Sequence, residues 1–322
     1  MKAVVYSTRP FEIDLLNTAN KNQHQLTLLT EPLTESSIQL AAGNDAIVLF
    51  TNDDVTETIV QKMVELGVKF IATRSVGTDH IHKIAAKEAG IKIANVPSYS
   101  PHSIAEHAVM LALALNRKII LAQQRVKEFD FRLEGLIGFN LHGKTVGLIG
   151  LGTIGRVTAG IFNGFGCKVI AYDIQAGAEY PNIEMVSLEY LYATADIISL
   201  HIPATPEDKH LINKHSLAKM KKGVMIINTG RGTLIHTTDA LEALNSGQLG
   251  YLGADVYENE HGLFFENHHN DKHKDPLLIE LINHPNVIVT PHQAFLTNEA
   301  LTEIAAQTIK NLDEFVLEKY SF

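Results

Sequence analysis

Near the middle of this 322-residue chain stands the segment Val146-Gly147-Leu148-Ile149-Gly150-Leu151-Gly152-Thr153-Ile154-Gly155. An apolar run, three spaced glycines and a following helical pattern predict a strand, a tight turn and a helix. Gly150 permits the turn, Gly152 lets a pyrophosphate approach the backbone, and Gly155 lets the helix pack closely on the strand. The N–H groups and the dipole at the helix N-terminus favour that anion. The segment therefore predicts a dinucleotide-binding turn.

Thr153 and Ile154 open the predicted helix and belong to the same binding turn, and Asp173 indicates which nucleotide is bound. Asp173 closes the next apolar run. A carboxylate at this place accepts hydrogen bonds from the adenosine ribose hydroxyls and repels a 2′-phosphate. The three residues that follow, Ile174–Ala176, include no arginine that could hold such a phosphate. We therefore expect NAD rather than NADP, and no metal.

Short β-branched runs alternate with helical patterns over most of the chain, which is typical of parallel α/β architecture. Five strand-like runs precede the glycine segment: Lys2–Tyr6, Leu26–Leu29, Ala46–Phe50, Lys69–Thr73 and Ile91–Ala94. Six further runs predict the sheet that carries it: Thr145–Ile149, Lys168–Tyr172, Asp196–Leu200, Val224–Asn228, Tyr251–Asp255 and Val287–Thr290. Six strands that open with the glycine turn match the doubly wound dinucleotide fold. A complete α/β domain is therefore expected ahead of it.

Two helices are expected to join these domains. Ser100 and Pro101 suit the N-cap and the first position of a helix that continues to about Gln124. Its segment Val109–Leu115 is apolar nearly all round, which predicts burial between domains or subunits. A second amphipathic helix, from about residue 298 to residue 318, is expected to return to the first domain.

This arrangement predicts two doubly wound parallel-sheet domains, one inserted into the other. The first would consist of residues 1–100 plus 298–322 and would have a flavodoxin-like sheet. Residues 101–297 would form the inserted Rossmann domain that binds NAD.

Composition narrows the classes of partner and compartment. The chain is 45% hydrophobic and 20% charged, as in ordinary globular proteins. Its formal net charge of −9 argues against nucleic acid as a main partner. Cys167 is the only cysteine, so no intramolecular disulfide can form. The chain shows no signal-peptide pattern and no apolar run long enough to span a bilayer, so we expect a cytoplasmic protein without a membrane partner.

Three residues with suitable chemistry each follow a predicted strand of the second domain: Arg231, Glu260 and His292. Ligands of open parallel sheets bind beyond the carboxyl ends of the strands, where the glycine turn also lies. The three side chains are therefore expected to converge beside the nicotinamide. Spacing alone leaves Glu258 as a rival of Glu260, because alternation along an extended segment could place either carboxylate on the correct side.

These residue types suit hydride transfer to a 2-keto acid. Histidine is the natural proton donor near neutral pH, and an adjacent carboxylate orients the imidazole and stabilises its protonated form. A guanidinium binds a substrate carboxylate through two parallel hydrogen bonds. Each residue type alone has an ordinary structural explanation, such as a surface ion pair. Their combination on one sheet edge is a more specific indication of catalysis.

The chain resembles the D-isomer-specific 2-hydroxyacid dehydrogenases over essentially its whole length, and within them the fermentative D-lactate dehydrogenases. The resemblance is carried by Gly150-Leu151-Gly152-Thr153-Ile154-Gly155, Asn228-Thr229-Gly230-Arg231-Gly232, Asp255-Val256-Tyr257-Glu258-Asn259-Glu260, Pro291-His292-Gln293-Ala294-Phe295, Tyr99-Ser100-Pro101, Ala105-Glu106-His107-Ala108 and Leu263-Phe264-Phe265-Glu266. It implies that Arg231 binds the substrate carboxylate, that His292 is the acid/base and that Glu260 is its partner. It also implies a homodimer.

The resemblance further implies the contacts of cofactor and substrate. Asp255 would contact the nicotinamide carboxamide, and Ile202 and Pro203 would lie against the adenine end. Thr229 and Gly230 would also contact the cofactor, although serine is common where this chain has Gly230.

The substrate carboxylate would accept hydrogen bonds from the turn Ser75-Val76-Gly77. Phe50, Tyr99 and Phe295 would line the pocket for the substrate side chain. For Arg74, which precedes the turn, a structural ion pair is at least as reasonable an interpretation as substrate binding.

We therefore expect reversible reduction of pyruvate by NADH to D-lactate. A preference for larger 2-keto acids is the first alternative, and a non-catalytic NAD-sensing protein is an alternative from another class. The histidines His268, His269 and His273 lie in a polar loop whose spacing matches no closed zinc pattern, so a solvated loop is expected there.

Overall fold

The computed structural model describes residues 1–175, 180–272 and 274–319. For residues 318 and 319 it describes only the backbone. The chain forms two compact α/β units. The first consists of Met1–Ser100 together with the C-terminal segment that begins at Phe295, and the second is Pro101–Ala294. The second boundary thus falls three residues before the expected one.

The first unit is built on a five-stranded parallel sheet with the order β2-β1-β3-β4-β5. Its strands are β1 (Lys2–Val5), β2 (Gln25–Leu28), β3 (Ala46–Leu49), β4 (Phe70–Thr73) and β5 (Lys92–Ala94). The helices between them are α1 (Pro10–Asn20), α2 (Glu57–Glu65) and α3 (Lys83–Glu88), with a 3-10 turn over Ile38–Ala41. This strand order is the flavodoxin-like one that the sequence predicted.

The second unit is built on a seven-stranded parallel sheet with the order β12-β11-β10-β9-β6-β7-β8. Its strands are β6 (Thr145–Ile149), β7 (Lys168–Tyr172), β8 (Ile183–Met185), β9 (Ile197–Leu200), β10 (Val224–Asn228), β11 (Leu249–Ala254) and β12 (Val287–Val289). Its helices are α4 (Pro101–Asn116), α5 (Ile119–Lys127), α6 (Thr153–Gly164), α7 (Leu188–Thr194), α8 (Lys214–Leu217), α9 (Thr237–Ser246) and α10 (Pro276–Asn283), with a 3-10 turn over Gly232–Leu234. The predicted doubly wound fold is confirmed, because the chain winds outward in both directions from β6.

One strand of this sheet was missing from the sequence prediction. The prediction of six strands is wrong, because β8 adds a seventh at the edge beside β7. This strand has only three residues, none of them buried. A buried apolar run, which is the signal used to find the other strands, is therefore absent there.

The predicted continuous helix from Pro101 to about Gln124 is also wrong, because α4 ends at Asn116. Lys118 has a left-handed φ of 50°, and α5 starts just after it. The side chain of Asn116 donates to the carbonyl of Phe139 at 2.7 Å and accepts from its N–H at 2.8 Å. These two bonds hold the chain that follows α5 against the end of α4.

The apolar side of α4 is buried within its own unit. Ala108, Leu111 and Leu115 belong to the core formed with Leu148 of β6 and Phe162 of α6. Burial of the remaining surface of α4 between domains or subunits stays a prediction.

The last helix, α11 (Asn298–Lys319), completes the first unit. Phe315 stacks on Phe70 of β4 with ring centroids 4.4 Å apart, and Leu312 is fully buried in the same core. His24 Nε2 lies 2.9 Å from a carboxylate oxygen of Asp313. None of the helices described is long and apolar enough to cross a membrane.

Candidate active site

The glycine turn between β6 and α6 has room for a ligand on one side only. Gly150 has a φ of 95°, and a Cβ atom there would lie 2.5 Å from the carbonyl oxygen of His201. A Cβ atom at Gly155 would lie 2.2 Å from the Gly150 carbonyl oxygen, so both positions require glycine. At Gly152, the N-cap of α6, a Cβ atom would meet nothing within 4 Å. The open space therefore lies at the helix N-terminus, where a pyrophosphate fits.

Asp173 fixes this turn to the end of β7. One carboxylate oxygen accepts from the N–H of Leu151 at 2.7 Å, and the other accepts from the N–H of Gln175 at 2.8 Å. Ile174 is 86% exposed beside it. Ala176, the third residue of the segment without arginine, lies outside the described residues. The contact of Asp173 with the ribose stays a prediction.

Ile202, after β9, borders the same turn, and Gly230, after β10, lies close to the Ile202 carbonyl. The side chain of Ile202 lies 2.8 Å from the place of a Cβ atom on Gly150, and Pro203 next to it is exposed. Thr229 is 8% exposed, and its hydroxyl oxygen is buried without a hydrogen-bond partner among the described residues. Gly230 donates its N–H to the Asn228 side chain at 3.0 Å. The lone Thr229 hydroxyl fits a site that a ligand completes.

His292 and Glu260 form a hydrogen-bonded pair. His292 Nδ1 lies 2.9 Å from Glu260 Oε1, and Glu260 Oε2 accepts from the N–H of Tyr257 at 2.8 Å. The two side chains are 19% and 25% exposed. Among the described residues, none hydrogen-bonds to His292 Nε2, so this atom can reach a substrate. The pair has the geometry of a general acid whose second nitrogen is oriented by a carboxylate.

The backbone of His292 is held in a strained conformation. Its φ is 53°, in the left-handed region that few residues other than glycine adopt. Its N–H donates to the carbonyls of Asp255 at 2.8 Å and Thr290 at 2.9 Å. Strain of this kind persists only where surrounding contacts enforce it, and it is frequent at functional sites.

Glu258 has a different partner from Glu260. Glu258 Oε1 lies 2.5 Å from His210 Nε2, and Glu258 Oε2 accepts from the N–H of Thr237 at 2.9 Å. The alternative that spacing left open is therefore resolved in geometry, because only Glu260 contacts His292.

Arg231 lies at the same sheet edge, after β10. Asn228 Nδ2 donates to the Arg231 carbonyl at 2.9 Å, and Arg231 Nη1 donates to the Gly230 carbonyl at 3.0 Å. A Cβ atom at Gly232 would lie 2.0 Å from the carbonyl oxygen of Tyr257, so the loops after β10 and β11 are in backbone contact. Glycine at position 232 thus keeps Arg231 close to the segment that carries Glu260.

Asp255 anchors the turn that carries His292, a role that the sequence analysis missed. It is fully buried, and its carboxylate accepts from Thr290 Oγ1 at 2.5 Å, the N–H of Gln293 at 2.9 Å and the N–H of Ala294 at 2.8 Å. His107 Nε2 lies 3.3 Å from the same carboxylate. A buried aspartate one residue after a strand is the signal that could have revealed this role. Its contact with the nicotinamide carboxamide stays a prediction.

In the first unit, the turn Ser75-Val76-Gly77 follows β4. Ser75 Oγ lies 2.7 Å from Thr73 Oγ1 and donates to the Gly77 carbonyl at 2.7 Å, and Asn95 Nδ2 donates to the Val76 carbonyl at 2.7 Å. Among the described residues, the N–H groups of Val76 and Gly77 have no acceptor. These hydrogen bonds therefore hold the turn in place, and its two N–H groups can donate to an anion.

The three predicted pocket residues of this unit lie together. The Phe295 ring centroid is 6.3 Å from that of Phe50 and 6.4 Å from that of Tyr99. These separations make Phe295 the middle ring of one aromatic cluster.

Arg74 has the structural role that the sequence analysis left open. Its guanidinium is buried, donates to the Tyr6 carbonyl at 2.7 Å and lies 3.6 Å from Glu12 Oε1. It also lies over the Phe50 ring, 5.4 Å from the centroid. Burial lowers the pKa of Arg74, and the carboxylates of Glu12 and Asp53 oppose this shift. Arg74 therefore supports the wall of the aromatic cluster.

The histidines of the polar loop are separately engaged. His268 Nδ1 lies 2.6 Å from Asp271, the N–H of His269 donates to Asn267, and His273 lies outside the described residues. Within the described part of the chain, no group of three His, Cys, Asp or Glu side chains could hold a metal ion.

Comparison with known proteins gives one consistent result. Residues 109–294 match the family model of the D-isomer specific 2-hydroxyacid dehydrogenase, NAD binding domain. The D-lactate dehydrogenase of Escherichia coli is 44% identical over 322 residues, which cover 99% of this chain and 97% of that protein. Its solved structure superposes with a TM-score of 0.87 at 41% identity, again over 99% and 97% of the two chains.

Two further relatives differ in the substrates that their names give. The aromatic 2-oxoacid reductase of Clostridium sporogenes is 44% identical over 99% of this chain and 97% of its own length. The structure of the pyruvate reductase of Chlamydomonas reinhardtii has a TM-score of 0.92 at 42% identity and covers 99% of this chain and 97% of that one. The family model matches more than half of the chain, and the relatives match nearly all of it. The chain therefore belongs to the D-isomer specific 2-hydroxyacid dehydrogenases, enzymes that depend on NAD, and its second unit contains their NAD-binding domain.

Proposed function

We propose that this protein is an NAD-dependent D-lactate dehydrogenase that interconverts pyruvate and D-lactate. The observation that carries the proposal is the His292–Glu260 pair, which stands with Arg231 at the sheet edge that bears the glycine turn. The D-lactate dehydrogenase of E. coli and the pyruvate reductase of C. reinhardtii, both similar over nearly the whole chain, support this choice of substrate.

Binding of the substrate begins with its carboxylate. Arg231 binds it through parallel hydrogen bonds, which also fix the orientation of the adjacent carbonyl group. In the first unit, the N–H groups of Val76 and Gly77 are available as donors to a carboxylate. The aromatic cluster of Phe50, Tyr99 and Phe295 contacts the substrate side chain and limits its size.

Reduction of the carbonyl requires a proton at its oxygen. Bound NADH supplies the hydride. His292 donates the proton from Nε2 to the carbonyl oxygen, and it takes the proton back in the oxidative direction. Glu260 keeps Nδ1 hydrogen-bonded and so holds the imidazole in the orientation that the proton transfer requires. Asp255 and Thr290 hold the backbone of His292, so the ring needs little rearrangement during the reaction.

Larger 2-keto acids are the second candidate substrates. The aromatic 2-oxoacid reductase of C. sporogenes, as similar in sequence as the E. coli enzyme, favours this alternative. The Phe50 side chain is 2% exposed, and the Arg74 guanidinium lies over its ring. A bulky ring held in this place supports a small substrate pocket instead.

A panel of keto acids tests both candidates. Purified protein is assayed with NADH and pyruvate, 2-ketoisocaproate or phenylpyruvate, and the product is resolved on a chiral column. D-lactate formed with the highest kcat/KM would support the proposal. L-lactate would contradict it, and a higher kcat/KM for phenylpyruvate would support the second candidate. Absence of turnover with all three acids, with NADH still bound, would favour a non-catalytic NAD sensor.

The protein is further proposed to work as a homodimer in the cytoplasm. No residue of α5 is buried, and the segment after it exposes Phe129, Phe131, Leu133 and Ile137. An apolar surface of this kind is typical of a subunit interface. The use of NADH suits the cytoplasm. The net charge of −9 supports a small-molecule substrate rather than nucleic acid.

A further inference from the structure

A second histidine–carboxylate pair lies next to the first in the second unit. His210 Nε2 is 2.5 Å from Glu258 Oε1, and their side chains are 29% and 17% exposed. Burial raises the pKa of Glu258, but the hydrogen bonds from Thr237 and His210 outweigh it and hold that pKa below its usual range. Glu258 therefore carries its charge at neutral pH.

This pair connects the loops that follow three neighbouring strands. His210 belongs to the loop after β9, and its N–H donates to the Thr233 carbonyl in the loop after β10 at 2.8 Å. Its ring reaches Glu258 in the loop after β11. Glu258 Oε2 also accepts from the N–H of Thr237, which is the first residue of α9. One pair of side chains thus joins the loop that carries Ile202, the loop that carries Arg231 and the loop that carries Glu260.

The joined loops make further contacts around the pair. The N–H of Ile212 donates to the Leu234 carbonyl at 2.9 Å, and the N–H of His236 donates to the Ile212 carbonyl at 2.9 Å. The ring of His236 lies 4.6 Å from that of His210, and His236 Nδ1 is 3.0 Å from Asp239. The pair is therefore set in a connected polar network.

The same pair is attached to the turn from which Glu260 reaches His292. Glu260 Oε2 accepts from the N–H of Tyr257, and the N–H of Glu260 donates back to the Tyr257 carbonyl at 3.2 Å. Glu258 lies inside this turn. If Glu258 lost its anchor at His210, Tyr257 and with it the Glu260 carboxylate would be free to shift.

We propose that His210 and Glu258 are positioning residues of the reaction: they hold Glu260 against His292, and Arg231 beside them, by tying the three loops together. This inference rests on the proposed function, because that function assigns the roles of Glu260 and Arg231. It deepens that function by assigning a purpose to the second carboxylate of the Glu258-Asn259-Glu260 segment.

Replacement of His210 by asparagine tests the proposal. The φ of His210 is 57°, and asparagine tolerates this conformation while being too short to reach Glu258. His210→Asn is expected to lower kcat about tenfold while the Kd of NADH changes less than about twofold, because a small misplacement of catalytic groups is costly. His268→Asn removes a similar pair with Asp271 farther along the same loop and is the matched control. Glu258→Gln keeps an acceptor for Thr237 and serves as a second variant with the same expected loss.

A double-mutant cycle distinguishes positioning from a general loss of stability. In the Glu260→Gln background, His210→Asn is expected to change kcat less than about twofold, because the group that it positions is already altered. An equal loss in both backgrounds, or no loss in the wild-type background, would overturn the proposal.

A readout without turnover separates this inference from the proposed function. A proton on His292 Nδ1 that is hydrogen-bonded to Glu260 is expected to give a downfield proton NMR signal, and this signal should shift or broaden in His210→Asn but not in His268→Asn. An unchanged signal in His210→Asn would contradict the positioning role, whatever substrate the enzyme reduces. Failure of wild-type protein to reduce any keto acid would contradict the proposed function alone.

Discussion

At the scale of single residues, His292 is the group on which the proposed chemistry depends most. Its Nδ1 is occupied by Glu260, and its backbone is held by Asp255 and Thr290 in a left-handed conformation. These contacts belong to the loops after β11 and β12 and do not involve the glycine turn. Catalysis and cofactor binding should therefore be separable by mutation.

Replacement of His292 by glutamine should remove most of the activity. Without an ionisable donor at this place, kcat is expected to fall by about 10²- to 10⁴-fold. The Kd of NADH, measured by fluorescence titration, should remain within about twofold of the wild-type value. His215→Gln, a change at an exposed histidine of the same unit, is the control for folding and purification. A large rise in the Kd of NADH for His292→Gln would argue against its role as acid.

His201 is expected to make the stability of the protein depend on pH. It lies beneath the glycine turn, shares a hydrogen bond of 2.9 Å with Ser199, and burial lowers its pKa to about 4. As the pH falls below about 6.5, the unfolded chain binds a proton that the folded protein does not. The contribution of the neutral His201 to stability is therefore fully present above that pH and is lost as the pH falls towards 4.

The free energy of unfolding should accordingly fall by up to about 2 kcal/mol between pH 7 and pH 5. This is an upper bound, because part of His201 remains accessible. Urea denaturation at both pH values measures the change in wild type, in His201→Asn and in the control His215→Asn. His201→Asn should lack this part of the pH dependence and the control should retain it; equal slopes for all three would contradict the assignment.

At the scale of elements, most strands and the glycine turn could be predicted because buried parallel strands are continuous apolar runs. The edge strand β8 lacks that signal, and the break after α4 depends on Lys118. That residue is held by a bond of 2.6 Å to Asn286 and by the Tyr251 ring, 4.4 Å from its ammonium group. Contacts so distant in sequence leave no trace in local periodicity.

The turn before α6 offers a matched pair of glycine substitutions. Gly155→Ala places a methyl group against the Gly150 carbonyl, whereas Gly160→Ala in the same helix places one where nothing lies within 4 Å. We expect Gly155→Ala to weaken NADH binding more than about tenfold, since it displaces the turn that approaches the pyrophosphate. Gly160→Ala should bind NADH normally and gain about 0.5–1 kcal/mol in stability. Isothermal titration and thermal unfolding measure both effects, and equal affinities in the two variants would contradict the role of the turn.

At the scale of the whole molecule, the two-unit organisation could be predicted because the glycine turn stands in mid-chain. The pairing of Glu260 rather than Glu258 with His292 could not be predicted from spacing. It depends on His210, which is 48 residues away from its partner Glu258. The anchoring by Asp255 was likewise hidden, because its partners at positions 290, 293 and 294 come from another loop.

The exposed apolar segment after α5 provides a test of assembly. Phe131→Glu and Ile137→Glu introduce charge where the side chains are 66% and 85% exposed in the single chain. If two copies bury this surface, the wild type should sediment with the mass of two chains and the double variant with the mass of one. Ile84→Glu, a change of the same type at a 69% exposed residue of the first unit, should remain dimeric. A wild-type protein that sediments as one chain would contradict the homodimer.

The place of α11 in the first unit has a consequence for synthesis. Ala3, Val5 and Val48 are covered by residues such as Ile309 and Leu312, which leave the ribosome only after the entire second unit. The first unit, whose strands are translated first, is therefore completed last. Its apolar sheet face stays uncovered while more than two hundred further residues are synthesised. Ribosome-bound chains that carry residues 1–297 followed by a linker long enough to fill the exit tunnel should be cleaved by protease within residues 1–100, whereas residues 101–294 should already resist cleavage. Equal resistance of both segments would show that the first sheet is stable without its last helix.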